Sequence, residues 1–230
     1  YRAQSDYDGR PLYVAGSIGP SNYVVSSTQA NLNKGTFDQI VDNFYYQVLG
    51  LIEGGADVLL IETQQDILET KAIIEGANKA FAEKKTRLPV IVQATVDVFS
   101  KMQIFNTDIH AAYTTVSGMG IDVFGINCNV GPKEMETTVE KLSRFCRHPI
   151  SVVPNAGQPI SEDGQTCYKL SPEDMANLME PFVREHGVAI VGGCCGTTPA
   201  HIKALREKLN GVIPALRQPD EKIYVSGPQE

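Results

Sequence analysis

Short runs of β-branched and apolar residues alternate along the chain with longer segments whose apolar positions recur at helical spacing. The short runs predict strands at 12–17, 57–61, 89–94, 123–127, 150–154 and 188–191. The longer segments predict helices at 36–53, 66–83, 107–119, 132–145, 172–185 and 199–209. The strand runs are almost continuously apolar, the pattern of strands buried on both faces of a parallel sheet. Local chemistry agrees at the boundaries. Thr36-Phe37-Asp38 and Ser171-Pro172-Glu173 read as helix N-termini, while Gly54-Gly55 and Gly187 end helices before the next strand.

Successive βα units at this spacing suit an open doubly wound sheet or a closed barrel. An open nucleotide-binding sheet would carry a Gly-x-Gly-x-x-Gly turn after its first strand, and the sequence there is Gly16-Ser17-Ile18-Gly19-Pro20. The chemically distinctive residues Ser17, Glu62, Asp66, Cys128, Asn155, Cys194 and Cys195 all fall just after predicted strands. In a barrel those positions converge on one mouth. The expected fold is therefore an α/β TIM-type (β/α)8 barrel, with only the last six βα units present. Residues 1–11 then read as the end of a helix and loop, and 1–210 as an N-terminally incomplete barrel domain. Residues 211–230, punctuated by Gly211, Pro214, Pro219, Gly227 and Pro228, read as a C-terminal tail or inter-domain linker.

The net charge of −7 argues against nucleic acid or an anionic membrane as the main partner. The sequence contains no apolar run of membrane-spanning length and no basic-then-apolar leader. Its five cysteines are odd in number and irregularly spaced, unlike a secreted disulfide framework. The expectation is a cytoplasmic protein.

Cysteine placement suggests a chemistry. Cys194 and Cys195 stand between glycines in Gly192-Gly193-Cys194-Cys195-Gly196-Thr197-Thr198-Pro199, and adjacent cysteines make strained disulfides. Tetrahedral zinc, with Zn–S bonds of ~2.3 Å, suits them better if the backbone curls. With Cys128 as a third ligand, a fourth position stays open for a substrate thiol, as in catalytic rather than structural zinc sites. The competing reading is three unrelated buried cysteines. Asn155 would approach the metal or the substrate, or serve as a turn residue. Glu62 is a candidate for binding a substrate ammonium. Asp66 stands with it at the mouth, although an acid at a helix start also caps the first turn. Ser17 and Gly19 lie in a turn that would hold a carboxylate or simply reverse the chain.

These motifs together resemble the zinc-dependent homocysteine S-methyltransferase family. The likeness runs from Ala15-Gly16-Ser17-Ile18-Gly19-Pro20 through Glu53-Gly54-Gly55-Ala56-Asp57 and Ile61-Glu62-Thr63 to Asn127-Cys128, Pro154-Asn155-Ala156-Gly157 and the double-cysteine motif, about residues 12 to 209. It is greatest to the cobalamin-dependent branch, to judge by Asp163-Gly164 and the tail Lys222-Ile223-Tyr224-Val225-Ser226-Gly227.

The resemblance implies zinc on Cys128, Cys194 and Cys195, with Asn155 near the metal. It places Glu62 and the turn 16–19 near the amino-acid end of homocysteine. It implies methyl transfer to homocysteine to give methionine, from methylcobalamin carried on another module. The alternatives are a stand-alone enzyme using betaine or S-methylmethionine, or a non-catalytic zinc- or thiol-binding barrel. Two departures stand out. The family's first two βα units are missing, which would expose two sheet edges. The loop 95–106 lacks the Gly- and Ser-rich sequence usual at that place.

Overall fold

A computed structural model describes residue 9 and residues 11–26, 35–222 and 224–227. The expected helix end and loop at 1–11 thus lies mostly outside the described residues.

Six parallel strands alternate with helices, as the hydrophobic pattern predicts. In chain order they are β1 (Ala15–Ile18), α1 (Phe37–Glu53), β2 (Val58–Gln64), α2 (Ile67–Lys84), β3 (Val90–Ala94), α3 (Ile109–Val116), β4 (Val123–Asn127), α4 (Pro132–Phe145) and β5 (Ile150–Val153). A hairpin of β6 (Ile160–Glu162) and β7 (Gln165–Cys167) follows, then α5 (Pro172–Arg184), β8 (Ile190–Val191) and α6 (Pro199–Lys208). The main sheet has the order β1-β2-β3-β4-β5-β8, every pair parallel. The fold is a partial TIM-type barrel, six strands curled with their helices outside. Among the described residues, β1 and β8 each have one sheet neighbour, so two edges are open. Apolar side chains stand exposed beside both, Tyr13 at 72% and Ile190 at 37%.

The core follows from the sequence periods. Helix α1 buries Ile40, Val41, Phe44 and Val48 on one face, each contributing roughly 1.5–3 kcal/mol of burial. Its start is a capping box, in which the Thr36 hydroxyl accepts from Gln39 N–H and the Gln39 side chain accepts from Thr36 N–H. Leu59, Ile61, Val90, Val92, Phe124, Ile126, Ile150 and Val152 fill the sheet interior. Gln93, buried on the same sheet, is satisfied by donating to the Ser151 hydroxyl at 2.7 Å.

The structure departs from the sequence expectation at several element ends and in one added hairpin. Strand β1 begins at Ala15 rather than residue 12, and Leu12, Tyr13 and Val14 are exposed. Val14 meets the sheet through Asp57, donating its N–H to the carboxylate and accepting Asp57 N–H. Helix α3 starts late because Asp108 caps it by accepting from His110 N–H. The β6–β7 hairpin is absent from the expectation. All of its residues but the half-buried Cys167 are exposed, so no apolar alternation marks them.

The chain beyond α6 has no helix or strand among the described residues, but it is tied to the helices. Ala215 N–H donates to Val183 O, Arg217 reaches the carbonyls of Cys146 and His148, and Asp220 N–H donates to Arg144 O. The Tyr224 ring meets His110 edge-on at 4.0 Å. Among the described residues no helix is long and apolar enough to cross a membrane.

Candidate metal centre

Parallel strands bring their C-terminal ends to one mouth, and there the three distant cysteines meet. The Sγ atoms of Cys128, Cys194 and Cys195 all lie within 4.8 Å of one another. The Cys128–Cys195 and Cys194–Cys195 separations are 3.7 and 3.9 Å. Zinc with ~2.3 Å bonds to tetrahedral sulfurs requires S···S distances of about 3.8 Å. The donor set and spacing therefore fit zinc, and three ligands leave one position of a tetrahedron open.

The backbone is bent to achieve this. Cys128 and Asn129, directly after β4, both adopt left-handed conformations with φ of 61° and 65°. Such values are uncommon outside glycine, and strain of this kind concentrates at functional sites. Cys128 N–H donates to Val153 O, Cys194 N–H to Pro154 O, and Ala156 N–H to Cys195 O. The double-cysteine turn is tight enough to need its glycines. A Cβ on Gly193 would lie 2.4 Å from Thr197 Cγ2, and one on Gly196, at φ 76°, 2.3 Å from Tyr168 Cγ.

Three thiols so close cannot all ionise without a cation among them. The Cys194 thiol beside Cys128 stabilises its thiolate, and Cys128 is pulled down to about 5 although burial opposes this. Cys194 is pushed up by the same interaction and by burial. In metal-free protein Cys128 is therefore the expected nucleophile. Iodoacetamide should label it first at about pH 6, where an ordinary thiol is protonated, with the rate falling as pH drops through its pKa. Peptide mapping that finds Cys194 labelled first would refute this.

The other sequence candidates fall into three groups. Asn155, after β5, is 2% exposed, and its Oδ1 accepts Cys195 N–H at 3.1 Å. Its amide thus orients the cysteine turn. Ser17 and Glu62 come together across β1 and β2, with Ser17 Oγ donating to Glu62 Oε1 at 3.0 Å. Gly19 is near them, a Cβ there being 3.9 Å from the same oxygen. Asp66 is buried as the N-cap of α2. It accepts from Leu68 N–H and from both the amide and the hydroxyl of Ser26, so its oxygens are engaged in holding the chain.

Several residues of the mouth were not singled out from sequence. Asn127 joins β2 to β4 by side-chain hydrogen bonds. Tyr168, at the exit of the hairpin, packs on Gly196, and the neighbouring Cys195 contributes to raising its phenol after burial. His201 clips the hairpin exit to α6, accepting Thr198 N–H at Nδ1 and meeting Leu170 O at Nε2. The atypical loop 95–106 is fastened to the site through Asn129, which donates to Val96 O and accepts from Gln103. A polar side chain at the last position of a buried strand was the available signal for Asn127. Tyr168 had none.

A family model described as homocysteine S-methyltransferase matches residues 1–209. The chain belongs to the homocysteine S-methyltransferase family. Among relatives in this family, the methionine synthase of Mycobacterium tuberculosis is 36% identical over 214 residues, covering 93% of this chain and 17% of that protein. The methionine synthase of Mycobacterium leprae is 38% identical over 191 residues, covering 83% of this chain and 15% of its own length. The chain thus spans less than a fifth of these relatives. The structure of the homocysteine methyltransferase MmuM from Escherichia coli in its apo form superposes with a TM-score of 0.64 at 23% identity, over 86% of this chain and 62% of that one. Its metallated form gives a TM-score of 0.61 at 23% identity, over 86% of this chain and 61% of that one. At that identity the likeness is one of fold.

Proposed function

We propose that Cys128, Cys194 and Cys195 hold one zinc ion, and that this domain methylates the sulfur of homocysteine to give methionine. The observation that carries the reading is the trio of thiols at zinc spacing. Bound zinc would supply Lewis acidity, lowering the pKa of a thiol in the remaining position so that it is a nucleophile at neutral pH. The chain does the rest by positioning. Asn155 holds Cys195 in place, and Tyr168 covers the turn on one side. Glu62, with Ser17 beside it, faces the substrate ammonium. The turn carrying Gly19 lies at the same end and suits the carboxylate. As the S–C bond forms, the bond from methyl to donor breaks, the donor keeps its electron pair and the thiol proton passes to solvent.

Likeness to methionine synthases and to the cobalamin-dependent branch supports methylcobalamin on a neighbouring module as the donor. Residues 211–230 are read as the connection toward such a module. Five free cysteines support a reducing compartment, the cytoplasm. The test is a donor comparison. Zinc-loaded full-length protein with homocysteine should form methionine from methylcobalamin but not from betaine or S-methylmethionine. Turnover with betaine or S-methylmethionine alone would replace the donor assignment, and protein without zinc affinity or turnover would end the enzymatic reading.

A further inference from the structure

We infer that Asn127 is a positioning residue that aims the Glu62 carboxylate at the substrate ammonium and ties that subsite to the thiol centre. This rests on the homocysteine reading above and extends it to a residue outside the metal set.

Asn127 ends β4, is 3% exposed and immediately precedes Cys128. Its amide orientation is determined by its neighbours. Thr63 N–H must donate to an oxygen, so Oδ1 is the atom at 2.8 Å from it, and the Thr95 hydroxyl lies 3.4 Å from the same oxygen. Nδ2 therefore points the other way, donating to Thr63 Oγ1 at 2.8 Å and to Glu62 Oε2 at 3.3 Å. The Thr63 hydroxyl donates onward to Glu62 Oε2, while Ser17 serves Oε1. Glu62 is thus gripped by three donors while remaining partly open to solvent.

The backbone here is strained for the same purpose. Thr63 is β-branched yet sits at φ 58°, where the β2–β3 register shifts between Ile61 and Gln64. Asn127 accepts the amide of this left-handed residue across the sheet. One side chain therefore holds the bulge that presents Glu62, and the next residue along the chain is Cys128. The ammonium and sulfur subsites share one rigid strand end. A matching ligand is an α-amino thiol whose sulfur stands at one definite reach from its nitrogen.

The experiment uses zinc-loaded full-length protein carrying Asn127→Asp, Glu62→Gln or both. N127D keeps the acceptor for Thr63 N–H and exchanges the donor facing Glu62 for an oxygen. Calorimetry measures binding of homocysteine and of its des-amino analogue, and metal analysis measures zinc. Each single substitution should weaken homocysteine by about tenfold or more, the size of a lost charge-assisted hydrogen bond. The double variant should be no worse than the weaker single, because Asn127 acts through Glu62. The des-amino analogue and zinc content should not change.

Additive losses, equal loss of the des-amino analogue, or loss of zinc from N127D would overturn the inference and leave the homocysteine reading standing. If E62Q binds homocysteine as well as the parent, the Glu62 assignment itself falls. Should N127D fail to fold, Asn127→Ser carries the same expectations.

Discussion

Cys195→Ala should leave a protein that folds but no longer retains zinc. Cys195 is exposed, whereas the truncation of a packed thiol would open a cavity. Little apolar burial is lost, so the thermal midpoint of the metal-free protein should move little. The metal loses one of three protein ligands, and the two remaining sulfurs, of Cys128 and Cys194, cannot complete a catalytic set. Even partners that merely orient a ligand are worth ~10–100-fold in metal affinity, so removal of a ligand should exceed that. Metal analysis after dialysis against a weak chelator should find about one zinc per chain in the parent and almost none in the variant. A variant that retains the parent's zinc would show that these thiols are merely neighbours.

Gly196→Ala is expected to damage the centre without touching a ligand. The new Cβ would occupy a left-handed residue at φ 76° and lie 2.3 Å from Tyr168 Cγ. Left-handed strain at a non-glycine residue costs of order 1–3 kcal/mol. Relief requires either moving the Tyr168 ring or unwinding the turn, and the second displaces Cys195. Zinc affinity should fall by roughly 10–100-fold, together with a lower thermal midpoint. Gly192→Ala is the control. Its Cβ would meet only Val153, at an ordinary 3.6 Å, and it should stay within about 0.5 kcal/mol of the parent. Equal effects of the two substitutions would refute the geometric argument.

Much of the architecture was readable because parallel strands buried on both faces leave a strong mark. Val90–Ala94 and Val123–Asn127 are such runs, and the helix caps Thr36 and Ser171 state their own boundaries. The hairpin was not readable, since Ile160–Glu162 pairs with Gln165–Cys167 in solvent and nothing in its polarity alternates. Nor was the role of Asp66 settled in advance. An acid at a helix start suits a cap or a substrate contact, and only the bonds to Leu68 and Ser26 show how its oxygens are used.

The sequence by itself determined which chemistry is present: three thiols, two of them adjacent and flanked by glycine, each just after an apolar strand run. Periodicity and capping sufficed for this, because burial and local hydrogen bonding act on neighbours along the chain. Tertiary structure decided how those groups are aimed. The approach of Cys128 to Cys195, the grip of Asn127 on Glu62 and the contact of Tyr168 with Gly196 join residues dozens of positions apart. No local pattern encodes such contacts, since each depends on which strand ends the sheet brings side by side.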